Sequence, residues 1–407
     1  MSDDIFFAHE TINRVSFLRE DAEFIIQAIN FENTNILFLK DNYPLVEPLE
    51  EKAPSPVPQL LKFKAGADKT IHEYLIKWSL LNKDQSYDLR FFPNIVFLGL
   101  MEPENDSDKA MEYKDGKYSG IPCFMIDVSE STTKFAPTFV EKNGDDYKLD
   151  LFKVLQQTSY KFDILNNRSQ ILQMKNHESS LLAYGKMFLD WLGKQNFCPQ
   201  CASPIIKIQA GTKLKCTSKL ISSTTDEKTG KVKNIYECGS KNLSVSNIQF
   251  PRTDPVCIIA VVNLQHNKIL LGNGLRFPNP KFYTCIAGFM EPGESIETCC
   301  SREIWEETGV HCSKVMVLHS QPWPFPANLM IGCIGVVEFN GKNELVDLGN
   351  DPELRDAKWF DFEEVKEALA KQESGGVDNN YPLVLPPKNA ISHVLIDTVV
   401  NKRFTKL

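Results

Sequence analysis

The sequence predicts an α/β protein that contains more than one domain. Apolar, β-branched runs of strand length lie at residues 35–39, 94–98 and 123–128. After residue 251, similar runs alternate with helical patterns, which is typical of a sheet covered by helices. With 407 residues, the chain is long enough to bury two or three separate cores.

The composition limits the class of protein. A net charge of −8 and a sequence pI of about 5.5 argue against a nucleic-acid coat, which needs a basic stripe. Local basic residues and metal ions would have to attract an anionic substrate. The acidic start has no secretory signal, and no apolar run has the length of a membrane span, so we expect no membrane partner. The eleven cysteines then indicate a reducing compartment.

Residues 1–175 are predicted to form an N-terminal α/β domain. This segment contains the three strand runs, and Asp115-Gly116 is a hairpin signal within it. It shows no grouping of residues that would carry catalysis. Its expected roles are therefore support and contact between two copies of the chain, which predicts a homodimer.

Residues 176–250 are predicted to form a linker helix and a zinc ribbon. Apolar residues at helical spacing predict a helix over residues 177–194. Cys198 and Cys201 then form half of a zinc knuckle, and Cys216 and Cys238 would complete a structural Cys₄ site. The last two cysteines are separated by 21 polar residues that are expected to form a loop or hairpin around Thr229-Gly230. The alternative is a lone knuckle and two unrelated thiols.

Residues 251–407 are predicted to form the catalytic domain, an α/β sandwich with a mixed sheet. Strand patterns lie at residues 256–264, 268–272, 282–287, 329–339 and 358–362, and helical patterns at 363–371 and 389–402.

One stretch of this domain, residues 288–310, predicts a helix that carries acidic residues on its inner side. Ser295 is placed to cap the helix and Gly309 to end it. At about 100° per residue, Glu303 and Glu307 lie on the same stripe as the apolar side chains, and Glu306 lies about 80° away. Carboxylates on an inner face need neutralisation, and oxygen ligands suit Mg²⁺ or Mn²⁺.

Arg302 is placed to orient a carboxylate through a bidentate bond. The alternative interpretation of the whole stretch is a charged, solvated helix face. The loop, the glycine stop and the inward glutamates together favour the metal site.

The spacing of this stretch, GFMEPGESIETCCSREIWEETGV, resembles the Nudix box at each fixed position. The resemblance implies a Nudix hydrolase with an α/β/α sandwich, and it implies catalytic roles for Arg302, Glu303, Glu306 and Glu307.

A second signature follows at residues 320–330, SQPWPFPANLM. Its prolines fix the loop, and its two aromatic side chains are suited either to stacking on flat bases or to packing alone. It resembles the signature of NADH pyrophosphatases within the Nudix superfamily, with Asn328 in place of serine. The resemblance implies that the loop binds substrate through Gln321, Pro322, Trp323, Pro324, Phe325, Pro326, Ala327 and Asn328. Together with the knuckle and the run at residues 13–19, it covers nearly the whole chain and is closest to the fungal peroxisomal enzymes.

The same resemblance implies roles for five further residues. Phe250 and Phe289 match positions that stack on the nicotinamide end, and Ser392 matches a small residue beside the adenine. Ala287 matches a residue whose carbonyl binds metal, and Glu353 matches an additional metal-binding carboxylate.

The implied reaction is the metal-dependent hydrolysis of NADH, NAD and related dinucleotides to NMN(H) and AMP. Two other functions stay open at this point. One is removal of NAD caps from RNA by the same chemistry, and the other is a catalytically silent nucleotide sensor. The ending Thr405-Lys406-Leu407 is a close variant of the Ser-Lys-Leu peroxisomal address. We therefore expect an import receptor as a partner and a peroxisomal location, with the cytoplasm as a second one.

Overall fold

The computed structural model describes residues 5–49, 57–103, 109–129, 149–218, 223–225, 232–234, 238–241, 250–350, 352–373 and 382–403. Contacts divide the chain into two units, one made of residues 10–252 and the other of residues 1–9 with 253–407. The division into three segments with boundaries near residues 175 and 250 stays a prediction.

The unit of residues 10–252 contains a mixed sheet whose strands are two to ten residues long. In chain order its strands are β1 (Ile12–Asn13), β2 (Asn35–Lys40), β3 (Tyr43–Val46), β4 (Phe63–Lys64), β5 (Ile95–Met101), β6 (Met111–Tyr113), β7 (Tyr118–Asp127) and β8 (Asp163–Ile164). Their order across the sheet is β1-β5-β7-β2-β3-β8, with β4 paired to β2 and β6 to β7. The predicted hairpin at Asp115-Gly116 connects β6 and β7, and the β2–β7 pair is parallel.

Helices pack on this sheet, and apolar side chains of the first three belong to its core. The helices are α1 (Ala22–Asn30), α2 (Lys69–Lys83), α3 (Leu151–Gln157), α4 (Arg168–Ile171) and α5 (Asn176–Lys194). Asp21 caps α1 through the amide of Phe24, and Asp68 caps α2 through the amide of Ile71. The predicted helix over residues 177–194 agrees with α5.

Two small hairpins follow α5. The first pairs β9 (Ile205–Ile208) with β10 (Lys213–Cys216), and the second pairs β11 (Ser223–Thr225) with β12 (Val232–Asn234). Ile206 and Ile208 of β9 belong to the same apolar core as the larger sheet, so the first hairpin is anchored by hydrophobic burial.

The second unit is built around another mixed sheet. Its strands are β13 (Asp254–Asn263), β14 (Lys268–Gly274), β15 (Ile286–Phe289), β16 (Lys314–Trp323), β17 (Asn328–Val336) and β18 (Leu354–Asp361), and its helices are α6 (Ile296–Thr308), α7 (Phe362–Glu373) and α8 (Ile391–Val400). The order is β16-β17-β13-β14-β18, with β15 paired to β13. The β13–β17 pair is parallel and the other pairs are antiparallel.

Alternation along β13 separates the cores on the two faces of this sheet. Ile258, Ala260 and Val262 pack with α7 and α8, whereas Ile259 and Val261 pack with α6. Helices on both faces of a mixed sheet confirm the predicted α/β/α sandwich.

Several boundaries differ from the predictions. The strand predicted at residues 282–287 is β15, Ile286–Phe289, and only isolated bridges precede it. Strand β16 was not predicted, so much of the expected loop at residues 320–330 lies in β16 and β17. Because β16 is an edge strand, it has neighbours on one side only and tolerates Pro322.

Within the described part of the chain, no helix combines the length and apolar character that crossing a membrane requires.

Candidate active site and metal centre

Helix α6 has the ends that its sequence predicts. The side chain of Ser295 accepts a hydrogen bond from the amide of Thr298 at 3.2 Å. Gly309 adopts a left-handed conformation with φ of 71° and donates its amide to the carbonyl of Trp305. Glu303 and Glu307 lie on the buried side of the helix and are 9% and 5% exposed. The predicted inward placement of the two carboxylates is therefore present in the fold.

Arg302 forms hydrogen bonds to three acidic side chains of the site. Its Nε and Nη2 donate to the two carboxylate oxygens of Glu294 at 2.6 and 2.9 Å. Its Nη1 donates to Glu303 at 2.7 Å and to Glu306 at 2.8 Å. The bond from Arg302 lowers the pKa of Glu294 to about 2. The bidentate bond predicted for Arg302 thus goes to Glu294, a fixed residue of the box to which sequence reasoning assigned no role.

Gly288 lets Glu303 approach the sheet. A Cβ atom at Gly288 would lie 1.8 Å from the carboxyl carbon of Glu303, which is far inside any allowed contact. Any side chain at residue 288 would therefore displace this carboxylate.

Glu307 opens into a cleft with a volume of about 320 Å³, which Ala287 and Glu353 also line. Burial first, and then the charges of Glu303 and Glu353, raise the pKa of Glu307 to about 8. Arg276 acts in the opposite direction. Three of the predicted metal ligands thus meet at one cleft, from three separate stretches of the chain.

Sequence reasoning missed two residues of this cleft, Arg276 and Phe277. The guanidinium of Arg276 lies 5.1 Å from the centre of the Phe277 ring, and Phe277 in turn packs on Phe282 at 4.6 Å. The sequence signal that could have identified them is a basic and an aromatic residue shortly after strand β14. Together they offer a cation and a flat surface in the cleft that Glu307 and Glu353 line.

The proline-rich signature spans the end of β16, the turn after it and the start of β17, and Trp323 pairs with Asn328 across the turn. The rings of Trp323 and Phe325 meet edge to face at 5.5 Å. Pro322, Trp323, Phe325 and Asn328 are partly exposed, Pro326 is exposed, and Pro324 and Ala327 are buried. The two aromatic side chains are therefore partly accessible on a short, paired turn.

Gln321 and Ser392 were predicted to touch substrate, and both are buried. The amide of Gln321 donates to the carbonyl of Asn389 at 2.8 Å and accepts from the amide of Ile391 at 2.9 Å. The hydroxyl of Ser392 accepts from the amide of Cys285, which lines the cleft, at 3.1 Å. In this structure both side chains are bonded to protein, and their contact with substrate stays a prediction.

The two phenylalanines predicted to stack on nicotinamide are exposed. Phe289 ends strand β15 and is 57% exposed, and Phe250 is 60% exposed. Phe289 immediately follows Gly288, and its carbonyl accepts a hydrogen bond from Nη2 of Arg302 at 2.9 Å. Phe250 belongs to the unit of residues 10–252.

Four cysteines form a second candidate site in the unit of residues 10–252. The sulfur atoms of Cys198, Cys201, Cys216 and Cys238 all lie within 4.8 Å of one another. The sulfurs of Cys198 and Cys238 are 3.7 Å apart, and those of Cys201 and Cys216 are 3.5 Å apart. Four thiolates at about 2.3 Å from a tetrahedral zinc lie about 3.8 Å from one another. The donor set and the spacing therefore fit one tetrahedral ion.

The pKa of one of these thiols is lowered, and the chain between the cysteines contains the predicted hairpin. Burial raises the pKa of Cys201, but hydrogen bonds from Ser203 and from the neighbouring thiols outweigh it and lower the value to about 6. Strands β11 and β12 form the predicted hairpin between Cys216 and Cys238. Thr229-Gly230, at the expected turn, lies outside the described residues.

The NUDIX domain pattern matches residues 251–379. The chain is also 36% identical over 399 residues to the NAD-capped RNA hydrolase NPY1 of Saccharomyces cerevisiae, covering 97% of this chain and 94% of that protein. The chain belongs to the Nudix hydrolase family. It is 32% identical over 397 residues to the NAD-capped RNA hydrolase of Schizosaccharomyces pombe, covering 96% and 91% of the two chains. It is 32% identical over 256 residues to human mitochondrial NAD(P)H pyrophosphatase NUDT13, covering 62% of this chain and 64% of that protein.

Membership in the Nudix family confirms that the chain is a hydrolase, and α6 lies within the matched residues. Nudix enzymes use divalent metals, and the residues present suit such an ion. Glu307 is a buried carboxylate whose negative form is destabilised by its surroundings, and a divalent cation beside it would remove that penalty. Carboxylate and carbonyl oxygens are also the ligands that Mg²⁺ and Mn²⁺ prefer.

Proposed function

We propose that the protein hydrolyses the pyrophosphate bond of an NAD moiety, both in NAD-capped RNA and in free NADH or NAD. Water would split the bond between the two phosphates, so the products are NMN or its reduced form and either AMP or 5′-monophosphate RNA. The observation that carries the proposal is the cleft in which the buried Glu307 faces Glu353. The names of the relatives supply the substrate class.

Glu303, Glu306, Glu307, Glu353 and the carbonyl of Ala287 would hold two or more Mg²⁺ or Mn²⁺ ions. These ions would neutralise the diphosphate and lower the pKa of an attacking water. One of the glutamates would accept the proton of that water. Arg302 would keep Glu303 and Glu306 oriented while its other edge stays bonded to Glu294.

Recognition of the substrate would come from flat and cationic groups of the catalytic unit. The diphosphate is common to many nucleotides, so selectivity must come from its end groups. Trp323, Phe325 and Phe289 are partly or largely accessible aromatic side chains on which bases would stack. Arg276 would contact a phosphate beside Glu307.

The four cysteines would bind one Zn²⁺ ion with a structural role. Four thiolates leave no open position for a reacting water, so this ion would stabilise the ribbon rather than take part in hydrolysis.

The names of the relatives change the order in which substrates should be tested. The sequence favoured NADH first, because the acidic pI and the peroxisomal ending both argue against long RNA as the main substrate. The two fungal relatives described above cover nearly the whole chain and are named as NAD-capped RNA hydrolases, so capped RNA becomes the first substrate to test. The name of human NUDT13 keeps free NAD(P)H beside it. The intact set of glutamates argues against a silent nucleotide sensor.

Assembly and location remain part of the proposal. The chain would act as a homodimer. Thr405-Lys406-Leu407 would direct it to the peroxisome through an import receptor, with a second pool in the cytoplasm. These three residues lie outside the described part of the chain.

A direct test compares kcat/KM for NAD-capped RNA, NADH and NAD in the presence of Mg²⁺ and of Mn²⁺. We expect hydrolysis of all three, with loss of activity on chelation and in Glu307→Gln. RNA of the same sequence with a 5′-triphosphate end is the matched control and should not be cleaved. Absence of turnover on every NAD-containing substrate would reject the proposal.

A further inference from the structure

The first described residues of the chain pack within the catalytic unit. Ile5, Phe6 and Phe7 are 7%, 7% and 3% exposed. They group with residues 253–407, although the NUDIX pattern begins only at residue 251. Three consecutive large side chains are thus buried in a segment that forms neither helix nor strand. This burial needs an explanation that the Nudix domain alone does not give.

Phe7 completes an aromatic cluster with the turn between β16 and β17. The centre of its ring lies 5.9 Å from that of Trp323, at an interplanar angle of 84°. It lies 6.1 Å from the ring of Phe325, at an angle of 71°. Since Trp323 and Phe325 also meet edge to face, the three rings contact one another pairwise. Each partly exposed ring of the turn therefore packs against the same buried ring.

The backbone of the segment is attached to the same turn. The side-chain amide of Gln321 donates to the carbonyl of Phe6 at 2.9 Å. The same side chain bonds Asn389 and Ile391 at the start of α8. Gln321 thereby joins the N-terminal segment, strand β16 and α8 through one buried group.

The conformation of Phe7 is one that its residue type rarely adopts. Its φ is +68°, in the left-handed region that a bulky residue enters only at an energetic cost. The amide of Ala8 closes a turn onto the carbonyl of Ile5 at 3.1 Å. The surrounding contacts must offset this cost, and the outcome is a ring directed between Trp323 and Phe325.

We propose that residues 5–7 are a positioning segment of the substrate-binding turn. Phe7 fixes the orientations of Trp323 and Phe325 so that they accept the flat end group of a dinucleotide. The inference rests on the proposed function, because it assigns the turn to binding bases. Fixing both rings before binding removes the conformational entropy that the substrate would otherwise have to offset.

The test compares Phe7→Ala and Phe7→Leu with wild-type protein. Leucine keeps an apolar side chain in the buried site but removes the ring, so it should fold where alanine does not. Phe17→Ala is the matched control, since Phe17 lies nearby in sequence but is 61% exposed and belongs to the other unit. Steady-state kinetics with NADH give KM and kcat, and calorimetry gives the Kd of AMP without any need for turnover.

We expect Phe7→Leu to raise the KM for NADH and the Kd of AMP about tenfold, with kcat changed less than about twofold. Phe17→Ala should match wild type. If Phe7 acts through the two rings of the turn, adding Phe7→Leu to the variant Trp323→Ala/Phe325→Ala should weaken AMP binding no further. An additional loss in that background would mean that Phe7 does not act through these rings, and this would overturn the proposal.

Other outcomes separate this inference from the proposed function. If Phe7→Leu lowers thermal stability but leaves both KM and Kd unchanged, the segment only packs and the inference is wrong. If the wild-type protein hydrolyses no NAD-containing substrate but binds AMP, the proposed function fails while the Kd values still decide the role of Phe7. If the wild type also fails to bind AMP, the turn is not a nucleotide site and both ideas are rejected.

Discussion

Replacing Glu307 by glutamine in metal-free protein gives the most quantitative test of the site. Burial, Glu303 and Glu353 raise the pKa of this carboxyl to about 8 in the fold, against about 4.3 for an unperturbed glutamic acid. The folded state therefore holds the proton more tightly than the unfolded state does. The resulting stabilisation is complete below the unfolded pKa and is lost as pH rises through the folded pKa.

The size of the effect follows from the pKa difference. Each pKa unit corresponds to about 1.36 kcal/mol, so the contribution of Glu307 to the free energy of unfolding falls by up to about 4 kcal/mol between pH 5 and pH 8. Glutamine does not titrate, so the stability of Glu307→Gln lacks this dependence on pH. Relative to wild type, the variant should become more stable as pH rises over this window.

Amide hydrogen exchange of α6, measured in chelator at pH 5, 6, 7 and 8, reports the opening free energy of this unit separately from the other unit. Glu297→Gln is the matched control, because Glu297 is an exposed glutamate on the same helix. Adding Mg²⁺ at pH 8 should stabilise wild type more than Glu307→Gln. A difference between wild type and variant that stays flat with pH would refute the burial argument.

Activity provides the second measurement on the same variant. A neutral amide cannot neutralise the bound cations, so Glu307→Gln should lose about three or more orders of magnitude in kcat/KM. The α6 exchange pattern at pH 5 should remain that of a folded helix. A folded variant with near wild-type turnover would remove Glu307 from the metal site.

Other predictions test the remaining parts. The wild-type protein should contain about one zinc ion per chain, and Cys238→Ser should lower both the zinc content and the melting temperature while kcat changes little. An elemental analysis that finds no zinc in the wild type would contradict this prediction. Phe289→Ala should cost about ten- to a hundredfold in kcat/KM for NADH and less for a diadenosine polyphosphate, so equal losses would mean that Phe289 shapes the site without stacking on nicotinamide. Gly288→Ala should abolish activity in folded protein, because a Cβ there displaces Glu303, and retained turnover would show that the sheet can shift. A fluorescent protein fused in front of the chain should be peroxisomal and become diffuse when residues 405–407 are deleted; a diffuse signal with the intact tail argues against the address.

The sequence by itself determined the features that depend on local structure. The ends of α6 follow from Ser295 and Gly309, whose capping bonds involve neighbours within one turn. The inward direction of Glu303 and Glu307 follows from the 3.6-residue period of a helix, which no distant contact has to supply. The apolar strand runs and the helical patterns after residue 251 likewise predicted an α/β sandwich with a mixed sheet.

Only the tertiary structure decided which distant residues meet. Strand β16 has mostly exposed and half-buried side chains and no clear alternation, so its pairing with β17 alone makes it a strand. Glu353 reaches the cleft of Glu307 because β18 pairs with β14, and Gly288 is restricted by a carboxylate from another element. Phe7 packs under Trp323 across more than three hundred residues of chain, a contact that no local pattern encodes. Propensity and periodicity act over a few residues, whereas these contacts exist only once the whole sheet has formed.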